Sequence, residues 1–335
     1  MKVLLIKTSS IGDLLHVFPA LTDAARALPD LTLDWVVERD LASIPTWHPA
    51  VRRTISVSYR HWRFHPIKGI FGGPLAGFRR ELRAERYDRI LDAQGLYKSA
   101  VISRLADCGE RHGFDYGSAR EKMASLAYRH RHAIPRTLHA IERQRQLFAE
   151  ALGYPLPQTA YDYGIDRARL AADGPGGRYL VFLHGTAWRT KLWPVDHWRA
   201  LARRVAPEGL QVRLPFFGER DRARAEAIAE ATPGAVLHPT PTLEQAAALV
   251  AGAEGCVTVD TGLGHLSAAL GIPTVSVYGP SSPGLTGTRG PHQRHLASDL
   301  SCPPCRQRSC ALTHRRDEPA PWMAAQHDSA VWLSL

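Results

Sequence analysis

Three short stretches of this 335-residue chain combine residue types that can do chemistry, and each stands directly behind an apolar run. The first is Ser9-Ser10-Ile11-Gly12-Asp13, behind Val3-Leu4-Leu5-Ile6. Its serines and aspartate either cap the helix that follows or face a ligand beyond the strand's end. The second runs from His184 to Lys191, behind Tyr179-Leu180-Val181-Phe182-Leu183. Here Thr186 offers a hydroxyl and Lys191 a compact cation, both suited to phosphate oxygens, with Ala187 between them. The third is Asp260-Thr261-Gly262-Leu263-Gly264-His265, behind Cys256-Val257-Thr258-Val259. Glycines at a helix start let backbone approach closely, and the free N–H groups there suit a diphosphate. The alternative reading makes Asp260 the helix cap and His265 a structural histidine.

These stretches must be positioned by strand–loop–helix units. In the first half, strands are expected at 2–6, 31–37, 54–57, 88–92 and 111–115, and helices at 13–28, 76–86, 97–106, 118–130 and 137–152. Alternation restarts with strands at 179–183, 210–214, 256–259 and 274–278 and helices at 195–206, 219–231, 243–252 and 263–270. That order predicts an α/β protein with parallel sheets covered on both faces. The length favours two domains, placed at 1–155 and 178–335 with a Gly/Pro-bearing linker over 156–177 and a cleft between the two. The tail beyond Cys310 lacks periodicity.

Composition and missing motifs exclude several classes. No apolar run approaches the about 20 residues of a membrane helix, and the four-residue apolar run ending at Lys7 is no signal sequence, so a cytoplasmic protein is expected. There is no G-x-x-x-x-G-K-[ST] phosphate loop, no G-x-G-x-x-G after the first strand and no D-x-D, so neither an organic cofactor nor a divalent metal is signalled. The net charge is +10, with a surplus of 8 over residues 1–155 and 2 over the remainder. Arg60, Arg63, Lys68, Arg79 and Arg80 fall in one stretch without an acid. Such a strip suits a polyanion, among them the anionic headgroups of a membrane surface. Nucleic acid is disfavoured, because no RNA- or DNA-binding motif accompanies the strip. Cys302, Cys305 and Cys310, with His314 nearby, read as reduced loop cysteines or as a zinc set.

Taken in order, KTSSIGDLLHVFPALTDA, DAQGLYKSA, FLHGT with KLWP, and VDTGLGHLSAALG with PTVSVYGP resemble the lipopolysaccharide heptosyltransferases of glycosyltransferase family 9. The similarity spans residues 1–290. DWVVE, YRHWR and GYPLPQT resemble most the members that add the first heptose. The cysteine loop resembles members adding a later one. The resemblance implies a GT-B fold, two facing Rossmann-like domains, and an inverting, metal-independent transfer from ADP-L-glycero-D-manno-heptose. The implied acceptor is the 3-deoxy-manno-octulosonic acid (Kdo) of Kdo2-lipid A, met at the cytoplasmic face of the inner membrane. It makes Asp13 the catalytic base and Lys191 the phosphate lysine. It assigns Thr186, Ala187, Asp221 (or Glu219), Asp260, Thr261, Gly262 and His265 to the donor. Ser10, Arg60, Arg63, Gln94, Lys98 and Arg120 are assigned to the acceptor.

Overall fold

The computed structural model describes residues 1–59, 73–240, 242–297 and 304–310. Arg60, Arg63, Cys302, His314 and the tail beyond Cys310 lie outside the described residues. The chain divides into two compact units, Met1–Ile165 and Asp166–Leu335.

In the first unit the elements run β1 (Lys2–Ile6), α1 (Ile11–Leu15), α2 (Phe18–Ala27), β2 (Thr32–Glu38), β3 (Val51–Val57), α3 (Gly73–Leu82), β4 (Tyr87–Asp92), α4 (Tyr97–Leu105), β5 (Cys108–Phe114), β6 (His130–His132) and α5 (Ala140–Leu152). The six strands form one sheet in the order β3-β2-β1-β4-β5-β6, and every pair is parallel. Central β1 is hydrogen-bonded on both sides and covered on both faces, which is why it reads as an unbroken apolar run.

The second unit holds α6 (Arg167–Ala171), β7 (Tyr179–Leu183), α7 (Val195–Val205), β8 (Gln211–Phe216), α8 (Gly218–Ala229), β9 (Val236–Pro239), α9 (Leu243–Ala251), β10 (Gly255–Val259), α10 (Gly262–Ala269), β11 (Thr274–Tyr278), α11 (Pro283–Thr286) and β12 (Gln293–Ala297). Its sheet is again all parallel, in the order β12-β11-β10-β7-β8-β9. Helix α7 buries Trp198, Leu201, Ala202 and Val205 along one face, at the three- and four-residue spacing of a helix stripe. They pack with Phe182, Val212 and Leu214 of the sheet.

Both units therefore share one topology: counted within each, the strand order is 3-2-1-4-5-6. In such sheets the crossovers change direction between the first and fourth strands, and ligands bind beyond the carboxyl ends there. The first unit's reversal lies between β1 and β4, the second's between β7 and β10.

Two expectations need correction. The helix expected over 13–28 is two helices, because Pro19 cannot donate a backbone hydrogen bond and its ring would clash with the carbonyl of Leu15, so α2 starts afresh with the proline in its first turn. The segment expected as a helix over 118–130 is a short 3-10 helix, Lys122–Ala127, leading into strand β6.

Candidate active site

At the first unit's reversal point, the backbone leaves β1 through Lys7, Thr8, Ser9 and Ser10. The backbone N–H of Ser10 donates to Asp13 Oδ2 at 2.9 Å and its hydroxyl donates to the same oxygen at 3.2 Å. Asp13 therefore does close back on the start of α1 as a cap. Both bonds end on Oδ2, and Oδ1 takes part in no hydrogen bond among the described residues. Asp13 is half-buried and Ser10 exposed, so the carboxylate is fixed yet open to solvent.

The loop is held from β4. Gln94, assigned above to the acceptor, is buried, and its side-chain carbonyl accepts from the N–H of Thr8 at 2.9 Å and of Ser9 at 3.4 Å. It is thus a positioning residue for the segment that carries Asp13. Gln94 is itself set by Asp92, whose carboxylate accepts from the N–H groups of Gln94 and Gly95 (2.9 and 3.1 Å) and from the Tyr128 hydroxyl (2.6 Å). Burial pushes the Asp92 carboxyl upward and these bonds oppose that shift. Beneath the loop, Lys7 is buried and donates to the Ala93 carbonyl at 2.8 Å. Burial lowers its ammonium, while Asp13 and Asp92 hold it up and Arg143 and Arg120 oppose them. Arg120 is exposed and follows residues packed against Gly95. Lys98 sits on α4 with its ammonium 5.5 Å from the Tyr59 ring centre. Ser10, Asp13, Gln94 and Arg120 are thus grouped around one strand-end; Lys98 lies on the neighbouring helix.

At the second unit's reversal point, the Lys191 ammonium pairs with Asp260 Oδ2 at 2.7 Å, joining the β7 loop to the β10 loop. The Ser281 hydroxyl donates to the same carboxylate oxygen. Thr186 donates to the Asp260 backbone carbonyl at 3.3 Å. Asp260 is therefore not the cap of α10: that position is Thr261, whose hydroxyl makes no bond to the helix start. Gly264 and buried His265 form the first turn. A Cβ at Gly264 would stand 2.8 Å from Thr258 Oγ1, so only glycine lets α10 lie this close to β10. Asp221, at the start of α8, lies against Gly185, where a Cβ would be 3.0 Å from its Oδ2. Burial raises its carboxyl. Glu219 is exposed and pairs with Arg222 at 3.7 Å, so Asp221 is the acid brought to the β7 loop.

Sequence reasoning missed Trp188, Ser281 and Arg308. The Lys191 ammonium lies 4.7 Å and the Arg308 guanidinium 5.2 Å from the Trp188 ring centre. The 304–310 segment is tied to these loops, with Thr190 Oγ1 donating to the Gln307 carbonyl at 2.8 Å and Arg306 N–H to the Pro280 carbonyl at 2.8 Å. Cys305 is a free thiol on it. No periodicity marks a contact between segments this far apart.

The model of glycosyltransferase family 9 (heptosyltransferase) matches residues 75–315. The chain belongs to that family. A lipopolysaccharide heptosyltransferase 1 of Pseudomonas aeruginosa is 50% identical over 92% of this chain and 87% of its own length. The solved structure of E. coli heptosyltransferase WaaC with ADP-2-deoxy-2-fluoro heptose is 43% identical with a TM-score of 0.82, covering 92% of this chain and 95% of that one. A lipopolysaccharide heptosyltransferase 2 of E. coli K12 is 26% identical over 85% of each chain. The chain is thus a family 9 glycosyltransferase with the GT-B fold.

Proposed function

We propose that this family 9 enzyme transfers L-glycero-D-manno-heptose from ADP-heptose to the Kdo of Kdo2-lipid A, the first heptose addition of the lipopolysaccharide inner core. The observation that carries the reading is the gap in identity, nearly twofold, between the Pseudomonas aeruginosa type 1 relative and the E. coli type 2 relative. The second unit takes the donor. Lys191 neutralises diphosphate charge, the N–H groups at the start of α10 and the Thr186 hydroxyl bind its oxygens, and Asp260 fixes Lys191 and faces the heptose hydroxyls. Asp221, beside Gly185, accepts from the ribose. The first unit takes the acceptor, with Ser10, Lys98 and Arg120 meeting its carboxylates and phosphates.

In the reaction, the acceptor hydroxyl attacks the anomeric carbon from the face opposite the diphosphate. Asp13 Oδ1 takes the hydroxyl proton, the new glycosidic bond forms, and the bond to the ADP oxygen breaks with inversion. The charge that develops on the leaving diphosphate is met by Lys191 and the α10 N-terminus, so no metal step is required.

The acceptor is a lipid, and the first unit carries a surface suited to one. Tyr97 and Val101 on α4, and Met123 and Leu126 in the adjoining 3-10 helix, are each more than half exposed. Lys98, Arg104 and Lys122 flank them. No described helix is long and apolar enough to cross a membrane. Apolar tips within a basic surround favour a peripheral seat on an anionic leaflet. The test is to offer purified protein ADP-heptose with Kdo2-lipid A or with its monoheptosylated form and weigh the products. A single added heptose on Kdo2-lipid A alone supports the reading; addition only to the heptosylated lipid replaces it with the later transfer.

A further inference from the structure

Away from both reversal points, strands β5 and β6 bring histidines and a carboxylate together. Their parallel register pairs His112 with His130 and Phe114 with His132. The two-residue period of a strand then places Glu110, His112, His130 and His132 on one face of the sheet. Glu150 of α5 reaches that face, its Oε2 2.9 Å from His132 Nδ1.

The donor–acceptor order within this cluster is determined from its outer end. The Glu150 carboxylate only accepts, so the proton of neutral His132 is on Nδ1 and its Nε2 accepts in turn. His112 Nδ1, 3.1 Å from that Nε2, must therefore be the donor. The remaining nitrogen, His112 Nε2, is left as a bare lone pair. It is buried without a hydrogen-bond partner, on a ring 6% exposed, and what it faces is another acceptor: Glu110 Oε2 at 3.5 Å. His130 Nε2 is likewise without a hydrogen-bond partner and lies 3.6 Å from Glu110 Oε1. Two buried imidazole nitrogens without a hydrogen-bond partner thus stand beside one carboxylate.

We propose that Glu110, His112 and His130 form a binding site for a divalent first-row transition ion of the zinc type. Their donor atoms all lie within 4.8 Å of one another. Tetrahedral ligands at ~2.0–2.1 Å from zinc stand ~3.4 Å apart, close to the observed 3.5 and 3.6 Å; the His112 and His130 rings, stacked 4.5 Å apart and 16° from parallel, must turn about χ2 to bring both lone pairs onto one ion. The Glu150–His132–His112 relay is the outer support that orients a ligating imidazole and fixes its tautomer. Two imidazoles and one carboxylate leave a fourth position for water. Among the described residues, Arg89, 3.5 Å from Glu110 Oε2 and bonded to the Ala151 carbonyl at 2.7 Å, is the one cation besides the imidazoles paired with the carboxylate, and it tempers the affinity. The ion would clamp edge strand β6 to β5.

The test uses the full chain, stripped with chelator and titrated with Zn2+ by calorimetry and with Co2+ by visible absorption. One ion is expected, with cobalt d–d bands and no thiolate charge-transfer band. Glu110→Gln and His130→Ala, at half-exposed positions that spare the core, should each weaken Zn2+ binding at least tenfold, as should His112→Ala. Cys305→Ser/Cys310→Ser should leave it unchanged. Melting curves of the metal-free variants check that they fold. Absence of Zn2+ binding, unchanged affinity in the Glu110 and His130 variants, or a thiolate band abolished by the cysteine changes would each overturn the proposal.

Discussion

At the scale of single residues, the two aspartates that begin helices in the matched motifs have opposite fates. Asp13 caps its own helix through Oδ2, and Asp260 leaves capping to Thr261 and pairs with Lys191 instead. From sequence both are read as caps or as site residues, because the choice is made by which neighbour lies within reach. For Asp260 that neighbour is 69 positions away. Asp13→Asn keeps the bond from the Ser10 N–H but removes the base. We expect kcat to fall about 100-fold or more, while binding of ADP-heptose by calorimetry stays within about threefold; near-normal turnover would remove Asp13 from the mechanism. Lys191→Met removes a charged partner of the diphosphate and strands Asp260. Charge-assisted bonds are worth about 1.5–3 kcal/mol, so ADP should bind roughly 10- to 100-fold more weakly, and unchanged ADP affinity would place the diphosphate elsewhere.

At the scale of elements, what was legible follows burial. Of the inner strands, β1, β7, β10 and β11 show in the sequence as apolar runs, since a parallel strand covered on both faces is largely apolar, whereas β2, β4, β5 and β8 carry charged residues among their apolar ones. The edge strands do not: β6, β9 and β12 are only partly buried and carry His, Arg and Gln, and β3 shows only at its apolar end, 54–57. An edge position needs neither alternation nor an apolar run, so pattern reading fails there for a physical reason. Close packing of α10 on β10 is invisible in the same way until the Gly264–Thr258 approach is seen. Gly264→Ala forces a methyl against a β-branched side chain, and we expect a loss of about 1–3 kcal/mol, read as a lower denaturant midpoint. An unchanged midpoint would mean that α10 moves freely. The approach to the α2–β3 region is sensitive to acid. The Ala50 N–H donates to His48 Nδ1 at 3.1 Å and His48 Nε2 lies 3.0 Å from Thr22 Oγ1, so the ring is neutral in the fold, and burial lowers it to about 4. The unfolded chain takes up that proton near pH 6.5. Between these values the unfolded state binds more protons, so stability is complete above about pH 6.5 and declines as the pH falls toward 4. The melting temperature of His48→Gln should fall less steeply across that window than that of the wild type, and parallel slopes would exclude His48 as a source of acid sensitivity.

At the scale of the whole molecule, one topology occurs twice, and each copy's reversal point carries its own polar segment, with Asp13 in the first and Lys191 and the glycine-rich helix start in the second. This duplication was legible as alternating strands and helices, and the division at Ile165 falls inside the Gly/Pro-bearing stretch. The surface proposed to meet the lipid was not. Sequence points to the basic strip around Arg60 and Arg63, which lies outside the described residues, whereas the structure exposes Tyr97, Val101, Met123 and Leu126 on two packed helical segments. The two features make separable contributions to membrane binding. Basic residues near an anionic leaflet are worth about 1 kcal/mol each and are screened by salt; apolar burial is not screened. We therefore expect Arg60→Ala/Arg63→Ala to weaken sedimentation with anionic vesicles at low salt, to converge on wild type at high salt, and to raise KM for Kdo2-lipid A without changing KM for ADP-heptose. Val101→Ser/Leu126→Ser should lower vesicle binding about tenfold at every salt concentration, as two half-buried aliphatic side chains would. Equal binding of the serine variant and the wild type would show that α4 and its neighbour face water, leaving the basic strip as the sole membrane contact.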